Sequence, residues 1–420
     1  MYISYGVACA FFLAGLLRWP QHTVAVVVLV LIGTAASIMI QGRSELSIAL
    51  LLAGPLLGSR FSIGALTLDN WISAAGIAVG VTVLPNYTTD KTRRRLALVP
   101  GALVLAIGIS GLASGWLPYA ALVRYAGLAM LALLVAGAVT SGFEARVLRI
   151  LHSLLGIGAV SVLLQPVLQG LLPPYVDPDS GLVRYGGLFG HPNFAAAALA
   201  IATLNVLGRR IGNRHPGLVI LLFGSAILVT VSVGATLTLL GAAAVLVSRR
   251  GSRYRGAFVL VGAVIAFTGA GVAQRLAALR SPSQQNSVDW RFERWKQALS
   301  ISEQDRMFGL GWEGLQERLG GPAHSAYVAL LVEVGVVGLV LVLGAVAYAT
   351  AGSGLSVSGA AIMGFVLVTS LTDPILFYPA TMASWLVVMV LGTRQTGSGE
   401  PESRFKNRER VRGERVRAVR

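Results

Sequence analysis

The chain is written in long apolar runs separated by short polar turns, and the runs recur from the first residues to about residue 393. A helix needs roughly 20 apolar residues to cross the hydrocarbon core of a bilayer. The pattern therefore predicts membrane-spanning helices, and not the strict alternation of half-buried strands. Expected spans are 3–17, 23–41, 46–58, 69–85, 96–115, 118–140, 147–172, 191–208, 216–232, 235–248, 256–273, 324–349, 356–372 and 376–393. Segment 46–58 is short for a crossing and reads as re-entrant or half-buried. Pro216 to Ser248 is too long for one straight span and barely enough for two, so a division is expected at Ser232-Val233-Gly234. The first run, Ile3 to Leu17, lacks a basic leader and a small-residue cleavage site, and is expected to be a retained span. The fold class is all-α, a polytopic transmembrane helix bundle of about 12 to 14 spans with one long outer loop containing an amphipathic helix. Its expected regions are an N-terminal bundle (1–172), a second membrane region (173–393) that includes outer loop 274–323, and a basic cytoplasmic tail (394–420) without apolar period.

Composition agrees. Hydrophobic residues make up 55% and charged residues 12% of the 420, against about 25% charged in soluble domains, which excludes an ordinary soluble enzyme. The net charge is +16, from 34 Lys and Arg against 18 Asp and Glu. On a soluble fold such an excess would point to nucleic acid. Assigned to alternate loops, however, one face collects 23 basic and 7 acidic residues, and the other carries 11 of each. Short cytoplasmic loops are enriched in Lys and Arg, so both termini are expected in the cytoplasm and no nucleic-acid partner is implied. The single cysteine, Cys9, excludes a disulfide framework and a cysteine metal site. The 50 glycines suit close helix packing in lipid.

The polar residues worth attention fall on the balanced face. Arg184-Tyr-Gly-Gly-Leu-Phe-Gly-His191-Pro192-Asn193 leads directly into a span. Pro192 suits the first helical position and His191 the N-cap, so the free amides of that helix end favour a phosphate or carboxylate. Arg184 either adds a bidentate grip on the same anion or snorkels to headgroups while His191 merely caps. In the long loop, Val288, Phe292, Trp295 and Leu299 form a narrow apolar stripe at helical spacing. Such a helix would lie on the outer membrane surface, with Trp290 and Trp295 as interfacial anchors. Arg291, at the edge of the stripe, is the residue that anchoring leaves unexplained. Gly309-Leu-Gly311-Trp312 follows, and then His324-Ser325-Ala-Tyr327, with His324 expected in the first turn of the next span as a candidate proton acceptor. Glu333 lies further along that run, where an ionisable side chain is costly and has either a helix-to-helix partner or a functional one. No metal-ligand set accompanies these residues. Anion-binding groups and a base on the outer face suit transfer from a lipid-linked phosphate.

Arg184-x-x-Gly187-x-Phe189-x-His191-Pro192-Asn193, Trp290-Arg291-x-x-x-Trp295-x-x-Ala298, Gly309-x-Gly311 and His324-Ser325-x-Tyr327-x-x-x-Leu331-x-Glu333-x-Gly335-x-x-Gly338 occur in that order. Over roughly residues 180 to 372 the chain thereby resembles the O-antigen ligase and O-antigen polymerase family of membrane glycosyltransferases. The resemblance implies a glycan donor on undecaprenyl diphosphate, a lipid or glycan acceptor, inversion at the sugar carbon, no metal and no cofactor. It also implies a multi-pass protein of the bacterial inner membrane whose active face is periplasmic. By the same resemblance His324 activates the acceptor hydroxyl and Arg291 and Arg184 lie near the diphosphate, with Arg294, His191, Tyr327 and Glu333 as further substrate-binding candidates. One departure stands out. Many members carry Ser-Arg where this chain reads Ser232-Val233. A ligase, which moves a finished glycan to an acceptor such as lipid A-core, and a polymerase, which extends lipid-linked repeats, differ in acceptor alone. A lipid or solute transporter is the alternative of another class, but its sites would be expected near the bilayer midplane.

Overall fold

A computed structural model describes residues 43–58, 62–63, 66–84, 91–140, 143–170, 172–176, 183–208, 216–250, 286–303, 305–321, 323–351 and 355–392. The expected spans 3–17, 23–41 and 256–273, Cys9, the first part of the outer loop and the basic tail lie outside the described residues. What is described is mostly helical, as expected.

The chain enters as α1 (Arg43–Ala53), closed by a π turn at Gly54–Gly58. A two-stranded antiparallel ribbon of β1 (Ser62–Ile63) and β2 (Leu66–Thr67) leads into α2 (Leu68–Val83). Eleven residues of α1 rise about 16 Å, short of a roughly 30 Å core, so segment 46–58 packs against α2 as a half-length element. Next come α3 (Lys91–Arg94), a 3-10 turn (Arg95–Ala97), α4 (Leu98–Ser114), α5 (Tyr119–Thr140) and α6 (Glu144–Leu164). Arg95–Ser114, Tyr119–Val139 and Glu144–Leu164 are long and apolar enough to cross a bilayer. A second ribbon, β3 (Tyr175–Val176) with β4 (Val183–Arg184), and a 3-10 turn at Gly187–Phe189 precede α7 (Pro192–Gly208). Then follow α8 (Pro216–Val229), α9 (Val233–Arg250), α10 (Asn286–Ile301), α11 (Gly314–Leu319), α12 (Ala326–Glu333), α13 (Gly335–Ala351), α14 (Val357–Thr369) and α15 (Pro379–Gly392).

Helix α7 is the axis of the second half. It is alanine-rich and apolar all round, the signature of a helix enclosed on every side, and every residue but Phe194 is buried. Helices α6, α8, α9, α14 and α15 pack on it. Small side chains let the backbones approach closely where lipid offers no hydrophobic drive for association. Gly158 shows the same logic on α6, where the Phe189 ring occupies the space that a Cβ would need.

Hydrogen bonds fix which helix ends lie together. The Tyr125 hydroxyl, near the start of α5, donates to Phe377 O at 2.8 Å, just before α15, and Tyr378 Oη donates to Phe189 O at 3.2 Å, just before α7. The C-terminus of α4 and the N-termini of α5, α7 and α15 therefore share one end of the bundle. At the other end, Arg146 at the start of α6 pairs with Glu45 at the start of α1 (2.6 Å), and Arg95 lies over the Tyr348 ring (4.9 Å). The described basic residues expected on the cytoplasmic face thus gather opposite the polar candidates.

Two expected spans are revised. The division between α8 and α9 falls at Thr230–Ser232, slightly before the expected site, and Val231 adopts φ 54° there. The expected span 324–349 is not one helix. It breaks between α12 and α13 at Gly335, φ 70°, because the loop before α11 docks into the break. Leu310 N and Gly311 N donate to the carbonyls of Val332 (2.9 Å) and Glu333 (3.0 Å), and Val336 N donates to Arg306 O (2.9 Å). A Cβ on Gly309 would strike the Glu333 backbone, and one on Gly335 would strike Met307 O. The glycines are there for contact between two backbones. Gly335→Ala is accordingly expected to destabilise the fold by about 2 to 4 kcal/mol, through strain and overpacking. Gly344→Ala, in the same helix with open space around its Cβ position, should be near neutral. Thermal unfolding of the detergent-solubilised proteins followed by tryptophan fluorescence measures both.

Candidate functional site

The polar candidates meet at the end of the bundle where α7, α9, α12 and α15 begin and α8 and α14 finish. Arg184, on β4, is only 4% exposed. Its Nε donates to Thr230 O at 3.3 Å, so the guanidinium caps the carbonyl end of α8, where a positive charge suits the helix dipole. Its Nη2 donates to Asn193 Oδ1. Asn193, in the first turn of α7, in turn donates from Nδ2 to Asp373 Oδ1 at 2.9 Å. That carboxylate lies 3.9 Å from His324 Nδ1. Arg184, Asn193, Asp373 and His324 thus form a chain drawn from four separate segments. All but His324 are buried, and buried polar groups of this kind hold one another in fixed geometry.

Pro192 opens α7 as expected, and His191 is its cap, with Nδ1 accepting the Asn193 amide at 3.2 Å. The imidazole sits among rings, 4.6 Å from Tyr175 and 4.9 Å from Phe194 by centroid, and Phe194 stacks on Tyr378. Arg184 is therefore committed to the helix ends around this cap, with at least two of its donors spent on protein.

His324 stands differently from its expected place in the first turn of a span. Ser325, extended at φ −150° and ψ 127°, is the N-cap of α12, and its hydroxyl accepts from Val328 N at 3.5 Å. Serine is the better cap, so His324 is displaced to the position before it. There it adopts φ 53°, a left-handed conformation that non-glycine residues adopt only when the surroundings impose it. The imposition is visible on both flanks: Ala326 N donates to Ser370 O at 2.9 Å, and Ala323 O accepts from Trp295 Nε1 at 2.7 Å. The imidazole is 21% exposed, open at one side with a carboxylate at its back.

Trp295 belongs to α10, the helix expected in the outer loop. The structure has that helix, but its protein-facing row is not the expected stripe. Ala298 is fully buried in a cluster with Leu310, Leu315, Ala323 and Val332, and Trp295 and Ile301 share its side. Phe292 and Leu299 point away and are 52% and 40% exposed. The small Ala298 side chain sets the approach, and the inward row becomes 291, 294, 295, 298, 301. Arg291 is thereby on the inward side, one turn before the tryptophan that holds residue 323, and its guanidinium has no hydrogen-bond or ion-pair partner among the described residues. Arg294 instead serves the loop: its Nη2 donates to Leu319 O at 2.6 Å. Tyr327 is also tied down, its hydroxyl donating to Leu367 O at 2.9 Å. Glu333 supplies a backbone carbonyl to Ser110 Oγ (2.7 Å) and to Gly311 N at the α12–α13 break.

Asp373 is the residue that sequence reasoning missed. It falls between two expected spans, where an acidic residue before a proline reads as a turn. Its signal is a lone acid in Thr369-Ser-Leu-Thr-Asp373-Pro374, at the outer end of two apolar runs. Val233, standing where the resembled family often has arginine, opens α9 immediately after the α8–α9 break. Among the described residues no three His, Cys, Asp or Glu side chains gather as a metal site.

No curated protein matches the chain. A family model described as O-antigen ligase matches residues 218–343. That stretch runs from α8 through α10 and His324 into α13, while Arg184, Asn193 and Asp373 lie outside it. The match bears out the likeness to the O-antigen ligase family that the Trp290–Ala298, Gly309–Gly311 and His324–Gly338 motifs carry, over that stretch of the chain.

Proposed function

We propose that the protein transfers a glycan from undecaprenyl diphosphate to a hydroxyl of a surface acceptor such as lipid A-core, without a metal and with inversion. The reading is supported above all by His324, a partly open imidazole with Asp373 behind it, and by Arg291 one turn before Trp295, on the helix that is clamped to the residue preceding His324. In this reaction the acceptor oxygen forms a bond to the sugar C1 as the bond from C1 to the phosphate oxygen breaks. The hydroxyl proton passes to His324, and the electron pair leaves with the diphosphate. Asp373 faces the imidazolium that results and compensates its charge, a role for an orienting carboxylate. Arg291 meets the charge growing on the departing diphosphate, where a fixed donor contributes most. Arg184 and Asn193 act at one remove by holding Asp373, so Arg184 is a positioning group and not the anion grip first expected. The anion-binding part falls to Arg291 and to the helix N-termini at this end.

Orientation follows from charge. The positive-inside rule favours the cytoplasm for the basic end of the bundle, which supports a periplasmic position, at the inner membrane, for the His324 end. Clustering of the polar groups at that edge favours an enzyme over a transporter. Ligase and polymerase readings differ in acceptor, and cells lacking the protein separate them: long lipid-linked chains without attachment support ligation, whereas single lipid-linked repeats would replace it by polymerisation.

In proteoliposomes supplied with lipid-linked donor and acceptor, His324→Ala should lower transfer by about a hundredfold to ten-thousandfold at unchanged expression. A wild-type rate in that variant would remove the proposed base. Arg291→Ala should lose about 1.5 to 3 kcal/mol of charge-assisted contact, read as roughly a ten- to hundredfold fall in donor kcat/KM. Asp373→Asn is expected to lower kcat roughly tenfold or more with donor KM unchanged, since it acts on the base and not on binding. An effect confined to KM would place Asp373 in the donor site instead.

A further inference from the structure

Away from His324, at the far end of α12, a cavity of about 490 Å³ opens between the C-terminus of α4 and the loop before α11. Its lining includes Ser114, Glu303, Asp305, Arg306, Phe308 and Arg318. We propose that this cavity is a saccharide subsite, holding sugar residues of one substrate at a distance from the reacting centre. The proposal rests on the glycosyl-transfer reading above and extends it to the glycan.

The charges argue for a polyol and against an anion. Two carboxylates and two guanidiniums line one cavity, so a phosphate would meet repulsion from Glu303 and Asp305 wherever it met attraction. A sugar both donates and accepts, and uses both kinds of group: carboxylate oxygens accept from hydroxyls, and the planar guanidinium fork donates to neighbouring oxygens. These groups are also available. Glu303 and Arg306 pair with each other at 2.8 Å, but Asp305 and Arg318 share the cavity without pairing, and neither has another side-chain partner among the described residues. Phe308 is 45% exposed beside them, an apolar ring face that a soluble loop gains nothing by showing to water and that a sugar's C–H face can cover.

The frame is rigid although the side chains are open. Gly309 N donates to Asp305 O at 2.7 Å, and the Val336 and Val337 amides hold the carbonyls of Arg306 (2.9 Å) and Met307 (3.2 Å). The glycine-dependent docking at the α12–α13 break therefore presents 305–308 in one conformation, which lowers the ordering cost of binding. The eight residues of α12 separate the cavity from the base by about 12 Å along the helix, too far for the sugar that reacts.

The test uses the full-length protein in nanodiscs, with Asp305→Ala, Arg318→Ala and Phe308→Ala, none of which touches the proposed reacting groups. If the subsite exists, each variant raises the KM of one glycan-bearing substrate about tenfold while kcat stays within about twofold, and a donor truncated to a single sugar shows no change. Whether donor or acceptor KM moves identifies the source of the saccharide. Wild-type transfer with both KM values unchanged in all three variants overturns the subsite and leaves the transferase reading standing. Should wild-type protein not transfer at all, that reading fails, and saturation-transfer NMR decides the subsite separately. The probe is the oligosaccharide released by mild acid from the producing cell's own surface polysaccharide. Signal lost in Arg318→Ala supports the subsite, and signal absent from wild type or equal in the variant overturns it.

Discussion

The bond from Asn193 to Asp373 is the joint of this molecule. On one side it reaches Arg184 and through it the carbonyl end of α8; on the other it reaches the turn between α14 and α15 and the back of His324. Lipid supplies no water to satisfy helix ends, so each exposed carbonyl or amide must find a partner within the protein. Arg184 meets that need at Thr230, Ser370 meets it at Ala326, and Ser325 at Val328. The same bonds that close helix ends also converge polar side chains on one point. Structural demand and the assembly of a site are here one arrangement.

A second fixture is the contact of two backbones at the α12–α13 break. It requires glycine at 309 and 335, turns a run long enough to span into a short helix and a longer one, and leaves His324 and the 305–308 loop at opposite ends of α12. Trp295 then ties α10 to residue 323. The segment from α10 to residue 323 is thus held at both ends of α12, and α10 is part of the frame around His324.

Much of the fold was legible because hydrophobic period is a local property. The helices α2, α4, α5, α7 and α14 fall within a few residues of their expected spans, and the Pro192 start of α7 follows from proline's missing donor. Boundaries failed where partners distant in sequence decide them. The kink at Gly335 needs Met307 and Gly309 as neighbours, and an apolar run alone cannot announce that. The stripe on α10 failed for a related reason. Apolar residues at helical spacing mark a buried face only if they are the residues that pack, and there Ala298 packs while Phe292 and Leu299 face outward.

The order of residues was enough for the membrane class, for most helical elements, and for the motifs of the family likeness, which include His324 and Arg291. These follow from composition, period and spacing, which are read along the chain. Tertiary structure alone decided that Asp373 stands behind His324, that Arg184 is spent on helix ends while Arg291 is left without a partner among the described residues, and that His324 precedes its helix in a left-handed conformation. Those outcomes depend on contacts such as Asn193 with Asp373, 180 residues apart, and on competition among donors for the same carbonyls. Neither leaves a local trace in the order of residues.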